Sequence, residues 1–337
     1  MQRLTKEDIM SQFLENLKSN LEDRNIEIVF PEGTDPRILT AAVELAETTY
    51  VRPIVLGDES GIKALAEKEG LDTSKLDMID PATYEDKEAL ADEFVKRRKG
   101  KVTSEQALEI LNDVNYFGTM LVYTGRAKGL VSGAVHSTPD TVRPALQIIK
   151  TKPGVTRTSG VFFMLRGDEL YVMGDCAINP ELNAEEMSEV AVEAAKTAKS
   201  FKMDPRVALL SFSTRGSAKT EETEKVKLAT QYAKEKLPEV PIDGELQFDA
   251  AFVPSVAEKK APDSELKGQA NVFIFPSLEA GNIGYKIAQR LGGFEAYGPI
   301  LQGLNQPVND LSRGCSKDEV FNLALFTATQ ALTQEDA

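Results

Sequence analysis

Short apolar runs alternate with amphipathic helical runs along most of this chain, and that alternation leaves few folds open. Residues 26–30 (IEIVF) read as a strand, 31–36 (PEGTDP) as a turn, 37–47 as a helix and 52–57 (RPIVLG) as a second buried strand. A strand, a crossover helix and another strand are what a parallel pair requires. The order continues with helices expected at 62–68, 84–99, 104–113 and 115–124, and strands at 76–80 and 130–135. Two short apolar runs, 160–165 and 169–174, flank Arg166, Gly167 and Asp168 and read as a hairpin. Helices at 184–201 and 223–237, strands at 207–213 and 271–276, a turn and strand at 242–249, and a loop at 277–284 leading into a helix at 285–291 complete an α/β pattern.

A chain of 337 residues has room for two domains or one large one, and residues 150–159, with Pro153 and Gly154, read as a crossover between domains. The net charge of −14 leaves no overall basic footprint for nucleic acid or an anionic membrane, so any anionic ligand must be met by local arginines. Two cysteines, Cys176 and Cys315, are too few for a disulfide scaffold and match a reducing compartment. With one histidine, His136, and no zinc-ligand spacing, no metal site is expected. The first 17 residues have helical periodicity rather than the pattern of a secretion signal, and no apolar run reaches the ~20 residues of a membrane span. A cytoplasmic location is the expectation.

One stretch concentrates chemistry. Residues 309–316 (NDLSRGCS) place the hydroxyl of Ser312, the fixed charge of Arg313, the flexible Gly314 and the thiol of Cys315 in one short loop. Ser316 and Glu319 form the S-x-x-E capping box that opens a helix over 320–332. A helix N-terminus beside Arg313 is a candidate oxyanion or phosphate site, although a capped loop with no further role has the same signature. A second patch, 136–149 (HSTPDTVRPALQII), puts hydroxyls at the carboxyl end of a strand and leads into a helix bearing Arg143, where α/β folds bind ligands. His136 there reads as a hydrogen-bonded structural residue, and the basic run 96–99 as a complement to a helix C-terminus.

Taken together, the runs FPEG (30–33), SGAVHST (132–138), TVRPALQII (141–149), VFFM (161–164), FSTRGS (212–217), FP (275–276), LEAGNIGY (278–285) and PVNDLSRGCS (307–316) resemble the phosphate acetyltransferase family, within the phosphate acetyl/butyryl transferase group. They span nearly the whole chain in the family's order. The resemblance implies two α/β domains with a cleft between them, similar to the isocitrate and isopropylmalate dehydrogenases, with residues 1–152 and 300–337 forming one domain and 153–299 the other. It implies reversible transfer of acetyl between CoA and orthophosphate, with CoA, acetyl-CoA, acetyl phosphate and phosphate as substrates. The resemblance further implies that no metal, bound cofactor or covalent acyl-enzyme takes part, and that the chain forms a homodimer, the family habit.

Several residues take roles from the resemblance. A carboxylate seven positions after the loop serine serves as base toward the CoA thiol. That position is Glu319, where the family often has aspartate; Asp318 stands next to it, and about 100° of helix rotation means that one of the two faces the substrate. Ser312 would hydrogen-bond the reacting centre, and with no histidine nearby in sequence it is not expected to be a nucleophile. Arg313 would grip phosphoryl oxygens bidentately, with Arg290 in support. Gly314 lets the backbone approach the substrate. Arg97, with Arg98 as a rival in register, and Arg143 match arginines that serve CoA and its phosphates. Ser137, Thr138 and Tyr297 are expected as acetyl phosphate contacts, and Cys315 as a packed bystander. Transfer of a longer acyl group such as butyryl, a metal- and nicotinamide-dependent dehydrogenase on the same fold, and a noncatalytic regulatory module are the competing readings.

Overall fold

The computed structural model describes residues 6–167 and 169–335, with side chains described for 13–167 and 169–334. Asp168 of the expected hairpin turn and the start of the N-terminal helical pattern lie outside the described residues. The chain divides into two compact units. One is Phe13–Lys152 with Leu304–Ala337, and the bulk of the other is Pro153–Gly303. In chain order the strands are β1 (Ile26–Phe30), β2 (Val51–Leu56), β3 (Asp77–Ile79), β4 (Gly129–Ser132), β5 (Ser159–Arg166), β6 (Glu169–Gly174), β7 (Val207–Leu210), β8 (Ile242–Leu246), β9 (Val272–Ile274), β10 (Glu295–Gln302) and β11 (Val308–Asp310).

The first unit is built on a sheet of order β11-β4-β1-β2-β3, parallel at every pairing. Ile28, Val29 and Phe30 of β1 are fully buried, as a central strand covered on both faces requires. The helix Pro36–Ala46 starts where it does because Asp35 accepts the Arg37 N–H at 2.9 Å and proline occupies the first helical position. The last helix, Lys317–Glu335, packs against Pro36–Ala46 and against β4. Strand order runs one way from β1 to β3 and the other way from β1 to β4 and β11. The gap between β1 and β4 at their carboxyl ends is therefore a topological switch point, where open α/β sheets take ligands.

The second unit has a mixed sheet of order β10-β5-β6-β9-β7-β8. The hairpin β5–β6 and the pair β10–β5 are antiparallel, and the remaining pairings are parallel. Its core gathers Phe162, Met164, Met173, Leu210, Leu246 and Phe273.

Five elements differ from the reading of the sequence. Residues 277–284 are not a loop: the helix Leu278–Arg290 begins directly after Ser277, which accepts the Ala280 N–H. Gly281 and Gly284 depress helical propensity, but Gly281 sits where a Cβ would lie 2.5 Å from the Asp175 carbonyl oxygen, so close packing overrides propensity. Asn309 and Asp310 belong to β11 rather than to the loop. Asn309 is buried and donates to Thr327 Oγ1 at 2.8 Å and Gln330 Oε1 at 2.7 Å, so a polar residue occupies a core strand position. β10, and the short helices Phe248–Phe252 and Pro254–Lys260, had no expected counterpart.

Candidate active site

Because the strands of the first unit are parallel, the loops after β1, β4 and β11 leave the same edge of the sheet, side by side. Glu32, just past β1, is 4% exposed and spans the switch point. Its carboxylate accepts the backbone N–H groups of Gly133 at 3.1 Å, Ala134 at 2.8 Å, Val135 at 2.8 Å and His136 at 2.9 Å, with His136 Nδ1 at 2.8 Å. Burial works to raise the Glu32 pKa, but the hydrogen bonds from His136, Val135 and Ala134 outweigh it and hold the group below its ordinary value. His136 moves the other way, raised by its bond to Glu32 against partial burial. The histidine is thus structural, as expected, and its partner is the glutamate of the FPEG run.

Arg37, in the first turn of Pro36–Ala46, ties all three loops. It pairs with Asp35 at 2.8 Å, donates to Ala134 O at 2.8 Å in the loop after β4, and donates to Arg313 O at 2.8 Å and Cys315 O at 3.1 Å after β11. Gly133, at φ +113°, has no space for a side chain: a Cβ would lie 2.4 Å from Asp310 Oδ1. Neither Glu32 nor Arg37 was singled out from the sequence. The signals that could have found them were an acid at the carboxyl end of β1 and an arginine at the start of the following helix.

The loop 311–316 is held from behind and open in front. Ser312, Arg313 and Gly314 are exposed, and the Arg313 guanidinium has no hydrogen bond or ion pair among the described residues. Ser312 Oγ accepts the Gly314 N–H at 3.3 Å. Glu319 Oε2 accepts the Ser316 N–H at 2.7 Å while Ser316 Oγ accepts the Glu319 N–H at 3.2 Å, so the capping box forms and Glu319 has a partner. Asp318 is more exposed and lies 3.5 Å from Lys317. Cys315 is 6% exposed, and burial pushes its thiol up to about 11 despite the nearby Arg37, which suits a packed bystander.

Other expected residues fall in three places. Ser137 Oγ donates to Asp140 at 2.6 Å and Thr138 Oγ1 to Asp310 at 2.6 Å, so both hydroxyls have acidic partners at the start of the helix Thr138–Ile148. Arg143 is exposed on that helix. Arg97 caps its far end, donating to Ile148 O at 2.5 Å and Ile149 O at 3.0 Å, and lies over the Tyr123 ring. Arg97, Arg98, Lys99 and Lys101 crowd around Lys150 closely enough to lower its pKa, Arg97 contributing most. This is a local basic cluster on an otherwise acidic chain.

The remaining two residues lie in the second unit: Arg290, exposed at the end of Leu278–Arg290, and Tyr297, buried in β10 with its hydroxyl donating to Glu295 at 2.5 Å. That unit also holds a cavity of about 800 Å³ at the carboxyl ends of β7 and β9, lined by residues that include Arg157, Ser211, Phe212, Lys225 and Ser277. Its cations are already paired, Arg157 with Glu186 at 2.5 Å and Lys225 with Glu222 at 2.9 Å.

A family model described as phosphate acetyl/butaryl transferase matches residues 12–328. The chain belongs to that family. It is 65% identical over 328 residues to a phosphate acetyltransferase of Staphylococcus epidermidis, covering 96% of this chain and 100% of the relative. A EutD phosphotransacetylase structure from Staphylococcus aureus is 64% identical with a TM-score of 0.91, and a phosphotransacetylase structure from Streptococcus pyogenes is 53% identical with a TM-score of 0.93; each comparison covers 96% of this chain and 99% of the other. A Salmonella typhimurium protein described as a 4-hydroxythreonine-4-phosphate dehydrogenase, 14% identical with a TM-score of 0.52 over 90% of this chain and 99% of its own, shares the fold. No helix among the described residues is long and apolar enough to cross a membrane.

Proposed function

We propose that this chain transfers acetyl reversibly between CoA and orthophosphate, by direct attack of the CoA thiolate on acetyl phosphate in a ternary complex. The observation that carries the reading is the exposed, unpaired Arg313 on a loop pinned through its backbone by Arg37, in a chain 65% identical to a phosphate acetyltransferase. A guanidinium with all its donors available, carried on a fixed backbone, suits the forked recognition of a phosphoryl group whose charge grows as the acyl–oxygen bond breaks. Ser312 supplies a hydroxyl for the carbonyl oxygen or the thiolate. The basic cluster at Arg97 and Arg98, with Arg143, takes the phosphates of CoA. Because Arg97 spends donors on Ile148 and Ile149, its charge rather than its fork would act there.

Thioester absorbance with acetyl phosphate and CoA tests the reading. Turnover is expected to survive EDTA, and acetyl-CoA is expected to exceed butyryl-CoA in kcat/KM. Each of the two extra methylenes of butyryl shifts that ratio by only ~1–3 kcal/mol, so a reversed order would move the assignment to the longer acyl group. No acetyl-CoA formed would end it.

The base is assigned to Glu319, whose Oε2 accepts the Ser316 N–H and whose second oxygen is left to meet a thiol. A free thiol of pKa ~8.5 is about 3% ionised at pH 7, so losing its base costs no more than roughly 30-fold there. Glu319→Gln is therefore expected to lose about 30-fold at pH 7 and most of that deficit to vanish near pH 9, while Asp318→Asn stays near wild type. The reverse pattern moves the base to Asp318.

A further inference from the structure

We propose that Asp310 is a positioning residue that holds the Ser312–Arg313 loop against the start of the helix Thr138–Ile148. The inference rests on the acetyl-transfer reading of that loop. Asp310 ends β11, is 2% exposed, and stands in register with Ser132 at the end of β4. Three contacts converge on it and on its neighbour. Thr138 Oγ1 donates to Asp310 Oδ2 at 2.6 Å, the Leu311 N–H donates to Ser132 O at 2.7 Å, and Gly133 packs so closely that a Cβ would meet Asp310 Oδ1 at 2.4 Å and Leu311 N at 2.7 Å.

Beyond Leu311 the loop is exposed until Cys315, so its course is set by two anchors: Arg37 on the carbonyls of Arg313 and Cys315, and Asp310 in front. Asp310 Oδ1 and Ser132 Oγ are buried without a hydrogen bond of good geometry, and the Thr141 hydroxyl stands near enough to Asp310 to act, with Thr138, on its carboxyl. A strand end that only needed packing would not require an acid there. Unmet buried polar groups of this kind concentrate where function constrains the residue. Losing the front anchor lets Arg313 drift from the phosphoryl group, and misplacement by about 1 Å can cost ~100-fold in rate.

The test is steady-state kinetics with acetyl phosphate and CoA on Asp310→Ala, Asp310→Asn, Thr138→Val, Thr138→Ser and the double variant Asp310→Ala/Thr138→Val, with hydrogen exchange of amides 311–316 on the same proteins. Asp310→Ala and Thr138→Val are expected to raise KM for acetyl phosphate about 10-fold while KM for CoA stays within about 2-fold. Asparagine keeps an acceptor and serine keeps a hydroxyl, so both should recover to within about 3-fold. The double variant should be no worse than either single one, because they break the same contact. Exchange of amides 311–316 should rise in the Ala and Val variants and return toward wild type in Asn and Ser. Unchanged KM values and unchanged exchange in an active enzyme would overturn the clamp. So would equal changes in both KM values with additive singles. Should the wild type make no acetyl-CoA, the acetyl-transfer reading falls, and exchange still decides whether Asp310 holds the loop.

Discussion

Arg313→Gln is expected to lower kcat/KM for acetyl-CoA formation by about 100-fold or more, the usual cost of removing a preorganised donor from developing negative charge. The glutamine amide retains polarity and some length but loses the charge and the fork. Because the Arg313 side chain makes no hydrogen bond or ion pair among the described residues, and the Arg37 bond to its backbone carbonyl survives the substitution, its loss breaks nothing that holds the fold. The melting temperature should therefore stay within about 2 °C of wild type, as for an exposed substitution in a chain of this size. Arg313→Lys keeps a point charge without the fork and should fall between the two. A melting temperature lowered in step with activity would mean that the residue serves the loop and not the substrate. Full activity of Arg313→Gln would remove it from the site.

Glu32→Gln should act through the opposite route. Five donors converge on one buried carboxylate, and an amide presents one acceptor and two hydrogens to them. Breaking a buried charge network by removing one partner costs about 3–5 kcal/mol, a large part of a typical domain's stability. The urea midpoint should fall accordingly, and activity with it, because the loop after β4 loses its seat. The pH dependence has a definite sign. Glu32 sits below its ordinary 4.5, so its contribution is present above that value and is lost as pH falls through the lower folded value. His136 sits above its ordinary 6.5, so its share is complete below that value and fades as pH rises through the higher folded value. Wild-type stability from this pair should peak between the two, and Glu32→Gln should flatten the profile. An unaltered midpoint at pH 6 would show that the nest is satisfied without the carboxylate.

Asp310 titrates with the contrary effect. Burial pushes it up to about 6 against the Thr138 hydrogen bond, so the folded chain holds a proton that the unfolded chain releases first. Its contribution is greatest at low pH, declines as pH rises through about 6, and is flat beyond. Ionising the buried carboxyl thus costs stability at neutral pH relative to its protonated form.

Much of the architecture was legible because the parallel sheet imposes its own rhythm: buried β-branched runs, a turn, an amphipathic helix. What escaped notice was wherever distant partners rewrote local preference. β11 is hidden because Asn309 is paid for by Thr327 and Gln330 on a helix that follows it. The helix Leu278–Arg290 is hidden because its glycines answer to Asp175 and Phe275 rather than to helical propensity. At the site, Ser312, Arg313 and Gly314 stood out as a cluster within a few residues of one another. Glu32 did not, because its five donors come from a segment about a hundred positions away, and nothing local marks a lone acid in a turn as the centre of such a nest.

The discontinuity of the first unit has a cost during synthesis. β4 emerges from the ribosome with one short edge open, and β11, the strand that pairs with it, follows only after the whole of the second unit has been made. A nascent chain waits through that interval with a row of unpaired amides and carbonyls beside an incomplete core, the condition that invites wrong partners. The same late strand carries the arginine loop, so the chain cannot acquire its chemistry before β11 has paired with β4.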